Sequence, residues 1–144
     1  MDFIMDLDYE GDLTPQETWD ILEKENNSYL IDCRTSAEWS FVGVPDLESI
    51  KKKVIFLEWQ IFPIMEKNPR FLKEISDNIP DKSSKIIFIC RSGARSRSAA
   101  EFLTSQGYDH CFNCLDGFEG SHNEIGQRGK KSGWKCTNLP WKQG

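Results

Sequence analysis

The residues with the clearest capacity for chemistry form one short segment that starts at a cysteine. The segment consists of Cys90, Arg91, Ser92, Gly93, Ala94, Arg95 and Ser96. Successive backbone N–H groups after a strand can curl around an anion, and the N-terminal end of a following helix adds positive charge. A sulfur at the centre of such a loop is stabilised as the thiolate, which is the reactive form of cysteine. The segment therefore predicts a nucleophilic cysteine in an anion-binding loop.

Each residue after the cysteine adds a property that suits a reactive sulfur. Gly93 allows positive φ without steric strain, and Arg91 and Arg95 bring permanent positive charge to an anionic substrate. The hydroxyl groups of Ser92 and Ser96 can donate hydrogen bonds. We therefore predict Cys90 as the catalytic residue and a substrate-binding loop made of Arg91, Ser92, Gly93, Ala94, Arg95 and Ser96. The alternative is a buried cysteine that ends a strand before an ordinary polar turn.

Strand and helix signals alternate along the chain and place this cysteine at the end of a strand. Strands are predicted at about 29–33, 54–57, 86–90 and 111–115, and helices at about 15–25, 69–79 and 96–106, with a helical turn at 36–39. The first helix opens with the capping box Thr14-Pro15-Gln16-Glu17. Such alternation predicts a parallel sheet with helices on both faces. Ligands of such sheets bind beyond the carboxyl ends of the strands, where Cys90 lies.

Four segments carry a resemblance to a known family. They are the cysteine loop Cys90–Arg95, the strand with Asp-x-Arg and Glu-aromatic from Leu30 to Trp39, the turn Leu115–Gly120, and the closing stretch Gly133–Trp141. On these segments the chain resembles the single-domain rhodanese-like sulfurtransferases, from about Leu13 to Trp141. The resemblance implies a rhodanese-like α/β fold with a mostly parallel, five-stranded central sheet and helices on both faces. It also implies one domain over residues 1–144, with its core at about 13–141.

The same resemblance implies sulfur transfer by double displacement. Cys90 is expected to attack the sulfane sulfur of an anionic donor such as thiosulfate and to hold it as a persulfide, with Arg95 and Arg91 positioning the donor. A thiophilic acceptor, cyanide or a thiol, then takes the sulfur. The expected partners are the small anionic donor and the acceptor, which can be a protein, and include neither nucleic acid nor membrane. No metal and no organic cofactor is expected.

Three departures from the family pattern concern the rim of the pocket. Val44 stands where the family usually has the histidine of Gly-His-Ile-x-Gly-Ala, which excludes a histidine role there. Phe118 replaces the second glycine of the family's Leu-x-Gly-Gly turn. A polar stretch from Ser121 to Ser132 precedes the closing tryptophan. The rim is therefore expected to differ from that of simpler members.

Two other function classes stay open. Cysteine-dependent phosphatases and arsenate reductases place an arginine six positions after the cysteine, whereas this chain has Ser96 there, between Arg95 and Arg97. The spacing favours a cradle sized for a sulfur atom over one sized for phosphate. The other class is a binding module that uses the rhodanese fold without catalysis. Such modules usually lack the cysteine, which is present here.

The composition is that of an ordinary globular chain. Its 144 residues, 38% hydrophobic and 28% charged, suit one domain. The formal net charge of −5 and the lack of a basic stripe argue against a nucleic-acid partner. Residues 1–10 are acidic without a signal-peptide core, and no stretch is long enough to span a membrane. A cytoplasmic location is therefore expected.

Five cysteines in a chain without an export signal predict reduced thiols rather than a disulfide framework. Cys111 and Cys114 form a C-x-x-C, but they lie in a predicted strand, where residues three apart point to opposite faces. The chain has only two histidines and no second C-x-x-C to complete a zinc site. We therefore predict that both cysteines belong to the core.

The charged residues after the first long strand are predicted to support the scaffold. Arg34 and Glu38 are four residues apart, a spacing that predicts an ion pair on a helix, and Asp32 ends the strand before them. A role for these residues in gating the pocket or polarising the acceptor is the alternative. Packing is the predicted role of four tryptophans, namely Trp39, Trp59, Trp134 and Trp141.

Overall fold

The computed structural model describes residues 8–128 and 130–143. In this part of the chain the strands are β1 (Gly11–Leu13), β2 (Ser28–Asp32), β3 (Val44–Pro45), β4 (Ile55–Phe56), β5 (Gln60–Ile61), β6 (Glu66–Lys67), β7 (Lys85–Ile89), β8 (His110–Cys114) and β9 (Trp141–Lys142). The helices are α1 (Pro15–Lys24), α2 (Ser36–Val42), α3 (Phe71–Asn78) and α4 (Ala94–Ser105), with a short 3₁₀ turn at Glu48–Ile50. The long elements agree with the sequence prediction to within a few residues.

Five strands form the central sheet in the order β1-β8-β7-β2-β4, and all neighbours in it are parallel. The middle strand β7 has the sequence Lys-Ile-Ile-Phe-Ile, and every residue after Lys85 is buried. A parallel strand that is covered on both faces needs such a continuous apolar run. The predicted α/β fold with a five-stranded central sheet is confirmed, and the sheet is parallel throughout.

The side chains of the sheet divide between two hydrophobic cores. One core lies beneath α3 and α4 and contains Phe71, Phe88 and Leu103. The other lies beneath α1 and the chain that follows β8, and it contains Leu22 and Trp134. Helices therefore cover both faces of the sheet, as predicted.

The two cysteines of β8 contribute to different cores. Cys111 packs in the core beneath α3 and α4, and Cys114 packs in the opposite core. Both are free, buried thiols. The alternation of side chains along a strand explains this division, and the prediction of two core cysteines is confirmed.

Two small antiparallel ribbons are not predicted by the sequence. β3 pairs with β9, and β5 pairs with β6. Each of these strands has two residues, which is too short for an alternating pattern to appear. The β3–β9 ribbon brings Trp141 against Phe118, with ring centroids 6.1 Å apart. The packing role of the tryptophans is confirmed for Trp59 and Trp134, which are 6% and 0% exposed.

Arg34 forms a buried ion pair with Asp32. Its Nη2 lies 2.6 Å from Oδ2 and its Nε lies 2.9 Å from Oδ1 of that carboxylate, and neither side chain is exposed. The predicted pair between Arg34 and Glu38 is wrong, because α2 begins only at Ser36 and the four-residue rule applies within a helix. The guanidinium also lies 4.4 Å from the centroid of the Phe118 ring. Arg34 thus ties the end of β2 to the second core.

The predicted single domain over 1–144, with a core at about 13–141, includes residues outside the described ranges and stays a prediction. The interpretation of residues 1–10 also falls mostly on residues that the structure does not describe. In the stretches 8–128 and 130–143, no helix combines the length and the apolar character that a membrane crossing requires.

Asp32→Asn should destabilise the fold strongly. The change leaves the buried guanidinium of Arg34 without its counter-charge, and removing one partner of a buried ion pair costs about 3–5 kcal/mol. Urea denaturation followed by circular dichroism measures this loss. The matched control is Asp77→Asn, because Asp77 pairs with Lys73 at the surface and such pairs contribute only about 0–1 kcal/mol. Equal losses in the two variants would contradict the assigned role of Asp32.

Candidate active site

The cysteine loop begins at the carboxyl end of β7, the middle strand of the sheet. Cys90 follows the strand directly and is 1% exposed. The chain then turns at Gly93, whose φ of +116° lies in the region that favours glycine. The helix α4 starts at the next residue, Ala94. The strand, loop and helix therefore occur in the arrangement that the sequence predicts.

Three polar groups converge on the sulfur of Cys90. The backbone N–H of Gly93 donates to Sγ at 3.2 Å, and the backbone N–H of Ser96 donates to it at 3.3 Å. The hydroxyl oxygen of Ser96 lies 3.1 Å from the same sulfur. Fixed N–H donors around one atom favour negative charge on that atom. The arrangement can therefore hold an anionic sulfur or an anionic adduct of it.

The predicted substrate-binding residues take different positions in the structure. Gly93 and Ser96 contact the sulfur, as described, while Arg91, Ser92 and Ala94 are exposed around the loop. Arg95 lies on the first turn of α4 and is only partly exposed. The loop thus has a buried sulfur with its donors and an exposed rim that carries one arginine.

A second turn fixes the backbone of the loop. The N–H of Phe118 donates to the carbonyl of Cys90 at 2.7 Å, and the N–H of Glu119 donates to the carbonyl of Arg91 at 3.0 Å. A Cβ atom at Gly117 would overlap those two backbones, so this approach requires glycine. Phe118, which replaces the family's second glycine, is fully buried. Its side chain therefore fills the core beneath the loop.

The polar stretch from Ser121 to Ser132 leaves this turn and returns beside it. The N–H of Ser121 donates to Oγ of Ser132 at 3.2 Å, which closes the stretch at its base. Nη1 of Arg128 donates to the carbonyl of Gly120 at 2.6 Å. The described part of the stretch is therefore a loop attached to the end of the turn that supports Cys90.

Arg95 is held by Glu38 in a bidentate ion pair. The Nη1–Oε1 distance is 2.6 Å and the Nη2–Oε2 distance is 2.9 Å. Burial alone would raise the pKa of Glu38, but the hydrogen bonds and the charge of Arg95 outweigh it and lower that pKa. Glu38 also forms a capping box with Thr35, the N-cap of α2. The pair therefore fastens the cysteine loop to the start of α2.

A chain of hydrogen bonds leads from the sulfur to the edge strand β1. Oγ of Ser96 donates to Oδ1 of Asn113 at 2.5 Å, and Nδ2 of Asn113 donates to Oδ1 of Asp12 at 3.0 Å. The Tyr9 hydroxyl donates to the same carboxylate oxygen at 2.7 Å. Burial, together with the hydrogen bond to Asp12 and its charge, raises the pKa of Tyr9 to about 12. Tyr9 therefore remains a donor at neutral pH.

This chain sets the direction of the Ser96 hydroxyl. A carboxylate only accepts hydrogen bonds, so Asp12 turns the amide nitrogen of Asn113 toward itself and the amide oxygen toward Ser96. Ser96 has one hydroxyl proton, and while Asn113 accepts it the oxygen of Ser96 faces the sulfur as an acceptor. A neutral thiol can donate to that oxygen, whereas an anionic sulfur depends on the two backbone N–H groups.

Sequence reasoning did not identify the roles of three of these residues. Asn113 is a polar residue between apolar neighbours in a buried strand. A polar side chain at such a position could have indicated a buried hydrogen-bonding role. Asp12 pairs with Asn113 in the register of β1 and β8, which no local pattern reveals. Glu38 and Arg95 are 57 residues apart in the chain, so their pairing also lies beyond local spacing.

The polar groups around Cys90 are mainly donors and suit an anion. Across the residues that the structure describes, no three side chains of histidine, cysteine, aspartate or glutamate come together in a way that could hold a metal ion. The site is therefore a buried cysteine sulfur with two backbone N–H donors directed at it.

Comparison with known proteins finds relatives along nearly the whole chain. The model of the family described as STR4 middle domain matches residues 11–144. The uncharacterized protein RC0915 of Rickettsia conorii is 44% identical over 125 residues, which are 87% of this chain and 91% of that protein. The thiosulfate sulfurtransferase GlpE of Haemophilus influenzae is 28% identical over 109 residues, which are 76% of this chain and 85% of that protein.

A solved structure is similar over almost its full length. The crystal structure of Rv0390 from M. tuberculosis matches this chain with a TM-score of 0.86 and 45% sequence identity. The match covers 94% of this chain and 99% of that chain. The fold of this chain is therefore shared with this relative.

Glu38→Gln should lower the free energy of unfolding by about 1–3 kcal/mol at neutral pH, since hydrogen bonds to a charged group are worth about that much. Because the fold lowers the pKa of Glu38, the contribution of its carboxylate is present above the unfolded pKa and is lost as the pH falls through the lowered value. The difference between wild type and variant should therefore shrink in acid. Urea denaturation over a series of pH values measures it.

Glu48→Gln is the control for this experiment. Glu48 pairs with Lys142 and is 76% exposed, so its loss should cost only about 0–1 kcal/mol at any pH. A Glu38→Gln difference that stays constant into acid would show that the pair does not act through the carboxylate charge.

Proposed function

The chain belongs to the family of the STR4 middle domain and is a rhodanese-like protein, and we propose that it is a sulfurtransferase that works through a persulfide on Cys90. The donor is an anionic sulfane-sulfur compound such as thiosulfate, and the acceptor is cyanide or a thiol. The observation that carries the proposal is the convergence of two backbone N–H groups on the sulfur of Cys90. The similarity to a thiosulfate sulfurtransferase supports it.

The first half of the proposed reaction loads the enzyme. The Cys90 thiolate attacks the outer sulfur of thiosulfate, the sulfur–sulfur bond of the donor breaks, and sulfite leaves with the bonding electron pair. The product is an anionic persulfide. The N–H groups of Gly93 and Ser96 stabilise the attacking thiolate, and negative charge moves from Sγ to the outer sulfur as the new bond forms.

The second half of the proposed reaction removes the sulfur from the enzyme. A thiophilic acceptor attacks the outer sulfur of the persulfide, and Cys90 departs as the thiolate. The same N–H groups that hold the persulfide also stabilise this leaving group, so one cradle serves both steps. The chemistry needs neither a metal nor an organic cofactor.

The two arginines of the loop have different proposed roles. Arg91 directly follows Cys90 and is exposed, and we assign it the attraction of the anionic donor. Both Nη atoms of Arg95 bind Glu38, so Arg95 contributes a fixed positive charge near the loop. The donor-positioning role that the sequence predicts for Arg95 is therefore assigned to its charge alone.

The proposed setting is a reducing compartment such as the cytoplasm. The cysteines are free thiols, and four of the five are buried. Sulfur transfer through Cys90 requires that its sulfur enter the reaction in reduced form. A protein thiol is included among the acceptors because the rim of the loop is exposed.

Cys90→Ser should abolish sulfur transfer and preserve the fold. A hydroxyl fits the loop but is not ionised at neutral pH, and loss of a catalytic nucleophile typically costs about 10³-fold or more in rate. Thiocyanate formation from thiosulfate and cyanide measures transfer, and circular dichroism measures folding. Cys111→Ser and Cys136→Ser are controls that should retain transfer. If either control lost transfer and Cys90→Ser kept it, the nucleophile would be misassigned.

Thiosulfate and p-nitrophenyl phosphate separate the sulfurtransferase from a phosphatase. The wild-type protein should form thiocyanate from thiosulfate and cyanide, with negligible release of p-nitrophenol. Ser96 occupies the sixth position after Cys90 and donates its N–H to the sulfur, so the loop closes tightly around one sulfur atom. Phosphate hydrolysis that depends on Cys90, without sulfur transfer, would overturn the proposal. Neither activity at high protein concentration would favour a binding module.

A further inference from the structure

Cys33 and Cys90 are the first residues after two neighbouring strands of the sheet. The strands β2 and β7 are parallel, and their register pairs Asp32 with Ile89. The N–H of Cys33 donates to the carbonyl of Ile89 at 3.0 Å, and this hydrogen bond completes the last pair of the ladder, Asp32 with Ile89. Sγ of Cys33 also donates to that carbonyl at 3.4 Å. Cys33 and Cys90 each follow the last pair by one residue, so the two cysteines leave the sheet side by side.

The two side chains also lie on the same face of the sheet. Cys33 and Cys90 both belong to the core beneath α3 and α4, together with Ile31 and Phe88, the residues two positions before them. Neighbouring strands are about 4.8 Å apart. Disulfides join residues whose Cα atoms are about 4.4–6.8 Å apart. The backbone spacing at the end of these two strands therefore falls within the range that a disulfide needs.

The other cysteines of the sheet are placed differently. Cys114 packs in the opposite core. Cys111 lies in the same core, but it pairs with Ile86, four residues before Cys90 on β7. Four residues of a strand span about 13 Å. Among the cysteines of the sheet, Cys33 is therefore the one placed to reach the sulfur of Cys90.

We propose that Cys33 is a resolving thiol, which in the absence of an external acceptor displaces the outer sulfur of the Cys90 persulfide as hydrosulfide and leaves a Cys33–Cys90 disulfide. The sulfur of Cys33 attacks Sγ of Cys90, and the bond between that Sγ and the outer sulfur breaks. The outer sulfur leaves with the electron pair and takes the proton of the Cys33 thiol. The persulfide is thereby reduced to hydrosulfide, and the two cysteines are oxidised. This inference rests on the proposed function.

The cycle is completed by an external dithiol. The dithiol reduces the Cys33–Cys90 disulfide by thiol–disulfide exchange, becomes a disulfide itself, and returns both cysteines to thiols. The exposed residues Arg91, Ser92 and Ala94 border the loop, so the reductant approaches on the Cys90 side. The protein would then release sulfide at the expense of a dithiol, in addition to handing sulfane sulfur to an acceptor.

The surroundings of Cys33 make resolution slower than transfer to a good acceptor. Burial raises the pKa of Cys33 well above its ordinary value, the charges of Cys90 and Asp32 raise it further, and Arg95 acts in the opposite direction. Most of the Cys33 is therefore protonated at neutral pH and reacts slowly. Below its pKa the thiolate fraction rises about tenfold for each pH unit. Hydrosulfide release should accordingly increase from neutral to alkaline pH.

The test follows one loaded sulfur in the absence of an acceptor. Reduced full-length wild type, Cys33→Ser and Cys114→Ser are treated with thiosulfate without oxygen, separated from the donor, and incubated. Intact mass, peptide mapping and hydrosulfide are measured over time. Wild type and Cys114→Ser should first gain the mass of one sulfur atom. They should then lose that sulfur and two hydrogens as a disulfide forms between Cys33 and Cys90, and one equivalent of hydrosulfide should appear. Cys33→Ser should retain its persulfide and release no hydrosulfide.

The outcomes distinguish this inference from the proposed function. If wild type never gains a sulfur, the proposed function fails at loading. If wild type gains the sulfur but Cys33→Ser releases hydrosulfide at the same rate, Cys33 is not the resolving thiol. A disulfide between Cys90 and Cys114 would also overturn the inference.

A second experiment tests the pairing without any sulfur donor. The oxidant diamide converts two neighbouring thiols into a disulfide, and it should link Cys33 to Cys90 in the folded wild-type protein and in Cys114→Ser. Peptide mapping identifies the link. Its absence in folded protein whose Cys90 still reacts with iodoacetamide would overturn the inference, whatever the result with thiosulfate.

Discussion

The position of the Cys90 backbone at the end of β7 is the constraint on which the site depends. Neighbouring segments hold this point from two sides, through the hydrogen bonds from Cys33 to the carbonyl of Ile89 and from Phe118 to the carbonyl of Cys90. The donors that reach the sulfur are themselves backbone groups. They can surround Sγ only if the strand end and the first turn of α4 keep a fixed distance, and misplacement by about 1 Å at a reacting centre can cost about 100-fold in rate. The central strand therefore positions the proposed nucleophile precisely.

The short segment from Asp32 to Glu38 adds the electrostatic part of this support. Asp32 neutralises Arg34 within the fold, while Glu38 reaches across to Arg95 on the helix that follows the loop. Each carboxylate has an arginine partner with at least two hydrogen bonds, a geometry that restricts both side chains. The positive charge of Arg95 is thus held in place beside the loop. A fixed charge needs little reorganisation during the reaction, which is the condition under which electrostatic stabilisation is most effective.

The sequence predicted those parts of the structure that depend on local patterns. The apolar run of β7, the capping box of α1 and the cysteine with its glycine-containing loop are each contained in about ten residues or fewer, and the structure has the strand, the helix and the strand-loop-helix arrangement. The pairing of Arg34 was predicted incorrectly because the helical spacing rule was applied across the N-cap of α2. The contacts of Glu38 with Arg95 and of Asn113 with Ser96 depend on which strands and helices become neighbours. The register of β1 on β8 depends on the assembled sheet. Two-residue strands such as β3 and β9 form only when distant segments meet. The local sequence therefore shows no alternating pattern that would predict them.

Burial does not distinguish Cys90 from the other cysteines of the sheet, because Cys90 is also almost fully buried. For Cys111 and Cys114, burial raises the pKa to about 11 and about 12, which keeps both as thiols at neutral pH. What Cys90 has in addition is a set of backbone N–H donors directed at its sulfur. Negative charge on Cys90 also raises the pKa of both Cys33 and Cys114. An anionic Cys90 therefore disfavours the ionisation of these two thiols. In the proposed reaction, this effect slows attack on the bound sulfur from within the protein and gives an external acceptor time to reach it.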